Sequence, residues 1–371
     1  MASKPTRTDE DYMRLALRLA RRGRGRTSPN PMVGAVIVKG DRIIGQGYHH
    51  HFGGKHAEIN AIENANESVA GATIYITLEP CCHHGKTPPC VNTLIQHNIG
   101  RVVIGMLDPN PQVNGKSVDL LRQHGIETTV GVLEEECRFL NEAHVKYMTT
   151  GLPLVTVKFA QTLDGRIATA TGSSQWISGG ESLKLTHKLR ASHDAVMVGI
   201  GTILADDPQL TVRRVRGRNP TRIILDSRLR IPLGAKVLME QETSPTIIAT
   251  TTHASEKKVA QLRKMGVEIS VINADQHGEV SLEQLLPMLG NRGISSLLVE
   301  GGAQVITSLL RLNLVDKLVI FIAPKIMGKG IEAVGELNIS DVRQALKLSF
   351  IKTYRRGADL VIEAQINRPA A

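Results

Sequence analysis

The chain has 371 residues, 42% hydrophobic and 22% charged, an ordinary globular composition that excludes a fibrous, collagenous or disordered protein. Its length predicts two domains, its four cysteines are too few for a disulfide framework, and no apolar run reaches the ~18 residues that span a bilayer. The formal charge of +10 is uneven: residues 1–150 hold 17 Lys and Arg against 15 Asp and Glu, and residues 151–371 hold 28 against 20.

Residues 8–22 read as a helix capped by Thr8, with Met13, Ala16, Leu17 and Ala20 on one face. The arginines of 21–26 complement the helix dipole at its C-terminal end. The first ten residues lack the apolar core of a signal peptide, so cytoplasmic residence is expected. Strands at 33–38 and 42–48 make a hairpin; a helix at 56–66, a strand at 73–78, a helix at 90–98 and a strand at 101–106 follow. This predicts a helix-flanked sheet with an antiparallel start. A helical stretch over 133–148 closes the unit. Gly151 and Pro153 then stop it, which sets domains of 1–150 and 151–371. The second half reads as strands at 155–160, 195–199, 221–225, 245–249, 295–299 and 317–323, with helices at 180–192, 254–265, 281–289 and 303–312. It is a second α/β domain.

Two segments of the first half carry chemistry. His56-Ala57-Glu58 and the stretch from Pro80-Cys81-Cys82 to Cys90 supply an imidazole, two thiolates and a spare carboxylate. Three protein ligands, His56, Cys81 and Cys90, leave the fourth position of a tetrahedral zinc to a water whose pKa falls to about 7. Glu58 is then free to move protons. His-x-Glu followed by Pro-Cys and a second Cys is the pattern of the zinc nucleobase deaminases. His56 and Glu58 are expected in the first turn of one helix, and Cys81 and Cys90 at or near the start of the next, where helix N-termini favour thiolates. Cys82 points away if Cys81 binds, and Cys137, in an apolar helical pattern, belongs to the core. His49-His50-His51 cannot all face one ion and read as a loop lip beside the pocket; His83 or His84 could line that pocket.

No Gly-x-Gly-x-x-Gly follows the first strand of the second half, so the usual dinucleotide fingerprint is absent. Glu300-Gly301-Gly302-Ala303-Gln304 follows an apolar strand and opens a helix, where side-chain-free residues let phosphate oxygens approach N–H groups. Arg190 and Arg213 could hold a phosphate, since a guanidinium offers paired donors. Trp176, the only tryptophan, could pack on a flat ring or sit in the core. Lys158 could supply a proton, bind phosphate or snorkel at the surface.

The eight residues between Cys81 and Cys90, rich in His, Gly and Pro, resemble one branch of the deaminase superfamily, the bifunctional riboflavin-biosynthesis deaminase/reductases. Residues 29–38 and Asp108-Pro109-Asn110-Pro111-Gln112-Val113 look like its other deaminase signatures. Thr162-Leu163-Asp164-Gly165-Arg166, Ser174-Gln175-Trp176-Ile177, Leu204-Ala205-Asp206-Asp207-Pro208 and Val299-Glu300-Gly301-Gly302 look like its reductase signatures. The resemblance implies a cytidine-deaminase-like zinc domain followed by a dihydrofolate-reductase-like α/β domain, with zinc and NADPH as cofactors. It implies NADPH contacts at Ala160, Trp176, Thr202, Asp206, Ser227 and the run Gly302, Ala303, Gln304, Val305, Ile306, Thr307, Ser308. It places substrate contacts at Ser174, Arg190, Leu210, Arg213 and Glu300. The implied substrate is a small phosphoribosylated pyrimidine, with no nucleic acid and no membrane as partner, and homo-oligomers stay open. The other reading is a nucleic-acid deaminase with an appended non-catalytic α/β domain. A near-neutral zinc half opposes it, because such an enzyme should carry basic surface around its chemistry.

Overall fold

In the computed structural model, residues 7–82 and 89–367 are described. The chain divides into two units, Met1–Gly151 and Leu152–Ala371.

The first unit opens with helix α1 (Asp9–Ala20), where Thr8 and Asp11 form a reciprocal capping box. Strands β1 (Gly34–Lys39) and β2 (Arg42–Tyr48) make the expected hairpin. Then come helix α2 (Ala57–Glu63), strand β3 (Thr73–Ile76), helix α3 (Cys90–Gln96) and strand β4 (Arg101–Ile104). Helix α4 (Lys116–Gln123) and strand β5 (Glu127–Val130) were not foreseen from the sequence. The sheet order is β2-β1-β3-β4-β5, antiparallel at β2-β1-β3 and parallel from β3 to β5.

Alternate residues of the central strands enter different cores. Ala35, Ile37, Ile74 and Ile76 pack with Ala57, Ala61, Val91 and Leu94, whereas Val36, Val38 and Tyr75 pack with Met13, Leu17 and Cys137. A strand buried on both faces reads as a continuous apolar run, as Gly34–Lys39 does. Gly47 of β2 seats α2 on the sheet, because a Cβ there would lie 2.4 Å from the Ala57 carbonyl oxygen and the Ala61 nitrogen.

The stretch expected as one closing helix is two, α5 (Glu134–Leu140) and α6 (Glu142–Thr150). Asn141 between them has its side-chain amide on the Met32 main chain, accepting its N–H at 2.8 Å and donating to its carbonyl at 2.9 Å. A partner 109 residues away leaves no trace in local periodicity.

Asp9 fastens α1 to the sheet edge. Its carboxylate accepts from Tyr75 Oη at 2.8 Å and from Arg101 Nη1 and Nη2 at 3.1 and 2.8 Å. The Arg101 guanidinium foremost holds this carboxyl below its ordinary 3.8. A depressed folded-state pKa gives stability that is complete above the unfolded value and disappears as pH falls through the folded one. Asp9→Asn is therefore expected to destabilise the first unit by about 1–2 kcal/mol at neutral pH. Urea titrations of parent and variant should converge as pH drops below 3.8; a gap independent of pH would contradict the assignment.

The second unit is built on strands β6 (Leu154–Thr162), β8 (Ala195–Gly199), β9 (Thr221–Leu225), β10 (Thr246–Thr250), β11 (Glu268–Val271), β12 (Ser296–Val299), β13 (Lys317–Ala323), β15 (Leu348–Arg356) and β16 (Asp359–Ile366). Their order is β11-β10-β9-β8-β12-β6-β13-β16-β15, parallel as far as β13 and antiparallel at the last two. β7 (Arg166–Thr169) and β14 (Gly330–Glu332) pair separately. Helices α7 (Gly180–Ser192), α8 (Ile200–Asp206), α9 (Glu256–Lys264), α10 (Leu282–Asn291) and α11 (Ala303–Arg311) connect them. All six strands expected here are present. β7, β11, β14, β15, β16 and α8 are additions; β15 is mostly exposed, so it lacks an apolar alternation to read.

The parallel strands end on one edge, at Thr162, Gly199, Leu225 and Val299. In open α/β sheets, ligand crevices lie outside these carboxyl ends. No helix among the described residues is long and apolar enough to cross a membrane.

Candidate active sites

In the first unit His56 is the N-cap of α2, and its Nδ1 lies 3.2 Å from Cys90 Sγ and 3.5 Å from Cys81 Sγ. The three donor atoms all lie within 4.8 Å of one another. A tetrahedral zinc with Zn–N of ~2.0 Å and Zn–S of ~2.3 Å needs donor separations of roughly 3.5–3.8 Å, so this cluster fits the ion. Cys90 is the first residue of α3. Cys81 lies in the loop before it rather than near a helix start, and the Cys90 N–H reaches its sulfur at 3.3 Å. The hydrogen bond from Cys90, with help from His56, holds the Cys81 thiol far below its usual range. Cys82 turns away toward the Gln112 carbonyl, 3.8 Å from its Sγ, and Cys137 is in the core.

Glu58, in the first turn of α2, is 3% exposed and stands outside the donor triad. Burial pushes its carboxyl up to about 7. Such a group is close to half-protonated at neutral pH, which suits a proton carrier.

The surroundings correct the loop-lip reading at His49. His49 is buried, with Nδ1 donating to the Lys55 carbonyl at 3.0 Å and Nε2 accepting from Asn30 at 3.3 Å, and its ring meets His56 edge-on at 5.5 Å. His50 and His51 are exposed. His83 and His84 lie outside the described residues. Sequence reasoning also passed over Glu79. Its buried carboxylate accepts N–H groups of Asp108 at 3.2 Å, Gly115 at 3.0 Å and Ser117 at 3.1 Å, fastening the 108–117 loop to the arm that carries Cys81. The only sequence signal was an acidic residue directly before Pro80.

In the second unit Ala160, Thr202, Asp206 and the Gly301–Gly302 turn lie at the carboxyl edge of the sheet. Gly301 and Gly302 have φ of +146° and +83°, and Gly302 is the N-cap of α11. Thr202 of α8 faces this turn, its Oγ1 3.4 Å from where a Cβ at 301 would stand. Ala160 lies near the end of β6. Asp206 accepts from Ser174 Oγ at 3.0 Å and from Gln175 Nε2 at 3.4 Å, which holds the Trp176 loop against α8. Trp176 is 64% exposed, so it is a surface ring and not core.

Several expectations change here. In the run 302–308, Ile306 is fully buried in the core, and Thr307 Oγ1 donates to the Ala303 carbonyl and accepts the Gly335 N–H. The other members of the run, Gly302, Ala303, Gln304, Val305 and Ser308, are not buried. Ser227 Oγ donates to Glu279 at 2.6 Å and accepts the Val280 N–H at 3.0 Å, so its hydroxyl serves the fold. Arg190 is no open phosphate clamp. Its Nε and Nη2 pair with Glu300 at 2.5 and 2.8 Å, and Nη1 donates to the Thr211 carbonyl at 3.1 Å. Arg213 is exposed, with Nη1 on Thr211 Oγ1 at 2.7 Å. Leu210 is buried. Lys158 does not snorkel: burial lowers its pKa, against the pull of Glu300, and its Nζ stands 5.0 Å from the Phe321 ring centroid. The Thr162–Arg166 signature is structural, with Asp164 accepting from Thr162 Oγ1 and from the N–H groups of Met327 and Gly328.

Residues 6–106 match the model of the cytidine and deoxycytidylate deaminase zinc-binding region, and residues 153–362 match that of the RibD C-terminal domain. The riboflavin biosynthesis protein RibD of Aquifex aeolicus is 47% identical over 355 residues, covering 95% of this chain and 97% of its own. The chain belongs to the riboflavin-biosynthesis RibD family. The Escherichia coli protein is 40% identical over 86% of this chain and 89% of its own. Acinetobacter baumannii RibD superposes with a TM-score of 0.89 at 36% identity, covering 97% and 99% of the two chains. A Thermotoga maritima structure, described as a diaminohydroxyphosphoribosylaminopyrimidine deaminase and 5-amino-6-(5-phosphoribosylamino)uracil reductase, superposes with a TM-score of 0.85 at 40% identity and the same coverage. The protein is thus a bifunctional enzyme of riboflavin biosynthesis, a deaminase followed by a reductase, with zinc and NADPH as cofactors. A match to the RibD C-terminal domain over the second half disfavours an appended non-catalytic domain.

Proposed function

We propose that the first unit deaminates 2,5-diamino-6-(5-phosphoribosylamino)pyrimidin-4(3H)-one and that the second reduces the ribosyl chain of the product to give 5-amino-6-(5-phosphoribitylamino)uracil. The observation that carries the first step is a triad of His56, Cys81 and Cys90 donors with a buried, unligated carboxyl at Glu58 beside it. Zinc held by that triad supplies hydroxide at neutral pH. Glu58 takes a proton on the way in and returns one to the departing ammonia. His49 and Asn30, hydrogen-bonded to each other, form the wall behind His56. Both substrates are small molecules, and the near-neutral first half supports the exclusion of nucleic acid. The cytoplasm is the proposed compartment.

In the second step NADPH supplies hydride. Gly301, Gly302 and the first turn of α11 present N–H groups to its pyrophosphate, Thr202 and Asp206 line the facing helix, and Trp176 offers an exposed ring. Arg213 takes the sugar phosphate, and Arg190 positions Glu300. A buried pair of this kind is costly to split, since either partner alone leaves an uncompensated charge.

A coupled assay that follows ammonia release and NADPH oxidation separately tests the division of labour. Gly302→Val adds bulk where φ is +83°, a conformation that β-branched residues avoid. The expected result is loss of NADPH binding and of reduction, with ammonia release near the parent rate and accumulation of the deaminated ribosyl intermediate. Thr202→Val, which leaves the backbone alone, should weaken NADPH binding in the same direction by roughly tenfold. A folded Gly302→Val protein that oxidises NADPH normally would remove the phosphate from this turn.

A further inference from the structure

Helix α7 turns two buried side chains, His187 and Arg190, toward the segment that follows Leu210. Three residues apart, they share one helix face. Arg190 Nη1 donates to the Thr211 carbonyl at 3.1 Å, and His187 Nδ1 accepts the Arg213 N–H at 3.0 Å. Leu210 itself has φ of +56°, a left-handed conformation that leucine rarely adopts. The segment is therefore fastened from outside, by two hydrogen bonds to α7.

The His187 ring is 5% exposed and faces Arg190, Arg213, Arg214 and Glu300. Burial first, then the three guanidiniums, push its pKa down to about 4, and the ring is neutral at pH 7. A neutral imidazole whose Nδ1 accepts must carry its proton on Nε2. That N–H has no hydrogen-bond partner among the described residues. Arg190 is matched by Glu300, whereas the Arg213 guanidinium next to the ring bonds only the Thr211 hydroxyl there. One unclaimed N–H beside an unmatched guanidinium is the chemistry that recognises a phosphate oxygen.

We propose that His187 is a specificity residue for the phosphorylated end of the substrate, holding the Arg213 main chain through Nδ1 and donating Nε2–H to a phosphate oxygen. The proposal rests on the reading that Arg213 belongs to the reductase substrate site.

The test compares reduction of the deaminated phosphoribosyl intermediate with that of its dephosphorylated form. His187→Asn keeps an acceptor near the Nδ1 position and removes the distal donor. It is expected to raise KM for the phosphorylated substrate roughly tenfold to a hundredfold, the range for a hydrogen bond to a charged group. KM for the dephosphorylated substrate and both kcat values should stay within about twofold, which the donor's role in binding alone requires. NADPH fluorescence reports that the unit is folded. Equal rises in both KM values would make His187 merely structural and overturn the proposal, as would no rise in either. Imidazole nitrogen NMR of the parent gives an answer independent of any variant's folding. Ribose 5-phosphate should shift the protonated Nε2 signal of His187 while Nδ1 stays unprotonated, and an unmoved Nε2 signal overturns the proposal. A parent that oxidises NADPH with neither substrate would take down the reductase reading and this proposal together.

Discussion

Glu58→Gln is expected to retain one zinc per chain and full substrate affinity while deamination falls by about 10²–10⁴-fold, the range for a lost general acid–base. The carboxyl stands outside the donor triad, so the ion does not depend on it. It is also 3% exposed, so no bulk water can take over its proton transfers readily. A carboxamide of the same shape removes only the titration. NADPH oxidation on supplied deaminated intermediate should be unchanged, because the second unit has its own core. Zinc loss measured by elemental analysis of this variant would show instead that Glu58 is structural.

The second large effect is at the metal. Cys81→Ser and Cys90→Ser should each abolish ammonia release and leave less than about a tenth of an equivalent of zinc, because a catalytic zinc needs all three ligands. The two differ in their cost to the fold. Cys90 is fully buried at the start of α3, whereas Cys81 is partly exposed in the preceding loop. Cys90→Ser is therefore the more destabilising change, by about 1–2 kcal/mol beyond that of Cys81→Ser, since it buries a hydroxyl among groups that suited a thiolate. Retention of zinc at parent levels in either variant would break the ligand assignment.

Legibility from the sequence followed locality. The zinc triad lies in two short motifs, so the residue types of the zinc-deaminase pattern were enough to bring His56, Glu58, Cys81 and Cys90 together. The six strands of the second sheet's parallel part that were foreseen are rich in apolar residues and mostly buried. What stayed hidden depends on distant partners. Asn141 breaks a helix because Met32 draws its amide away; Glu79 looks like a loop acid until the N–H groups of Asp108, Gly115 and Ser117 are seen around it. Arg190 and Arg213 are chemically alike in the sequence. Only the fold distinguishes the one neutralised by Glu300 from the one left open. Ser227 and Ile306 fall among residues the resemblance implies, yet the first bonds Glu279 and the second fills the core.

Glu79 has a consequence for how this enzyme could be made to accept another ring. Three amides from separate positions of the 108–117 loop converge on one carboxylate, and Ser117 Oγ also donates to the Pro80 carbonyl at 2.5 Å. Loop and cysteine arm thus behave as a single jaw, and lengthening or regrafting the loop would pull the metal ligand out of place along with it. Retargeting the pocket has to proceed by exchanging individual side chains on an unchanged backbone. Selection on this scaffold should accordingly leave the spacing between Glu79 and Ser117 fixed.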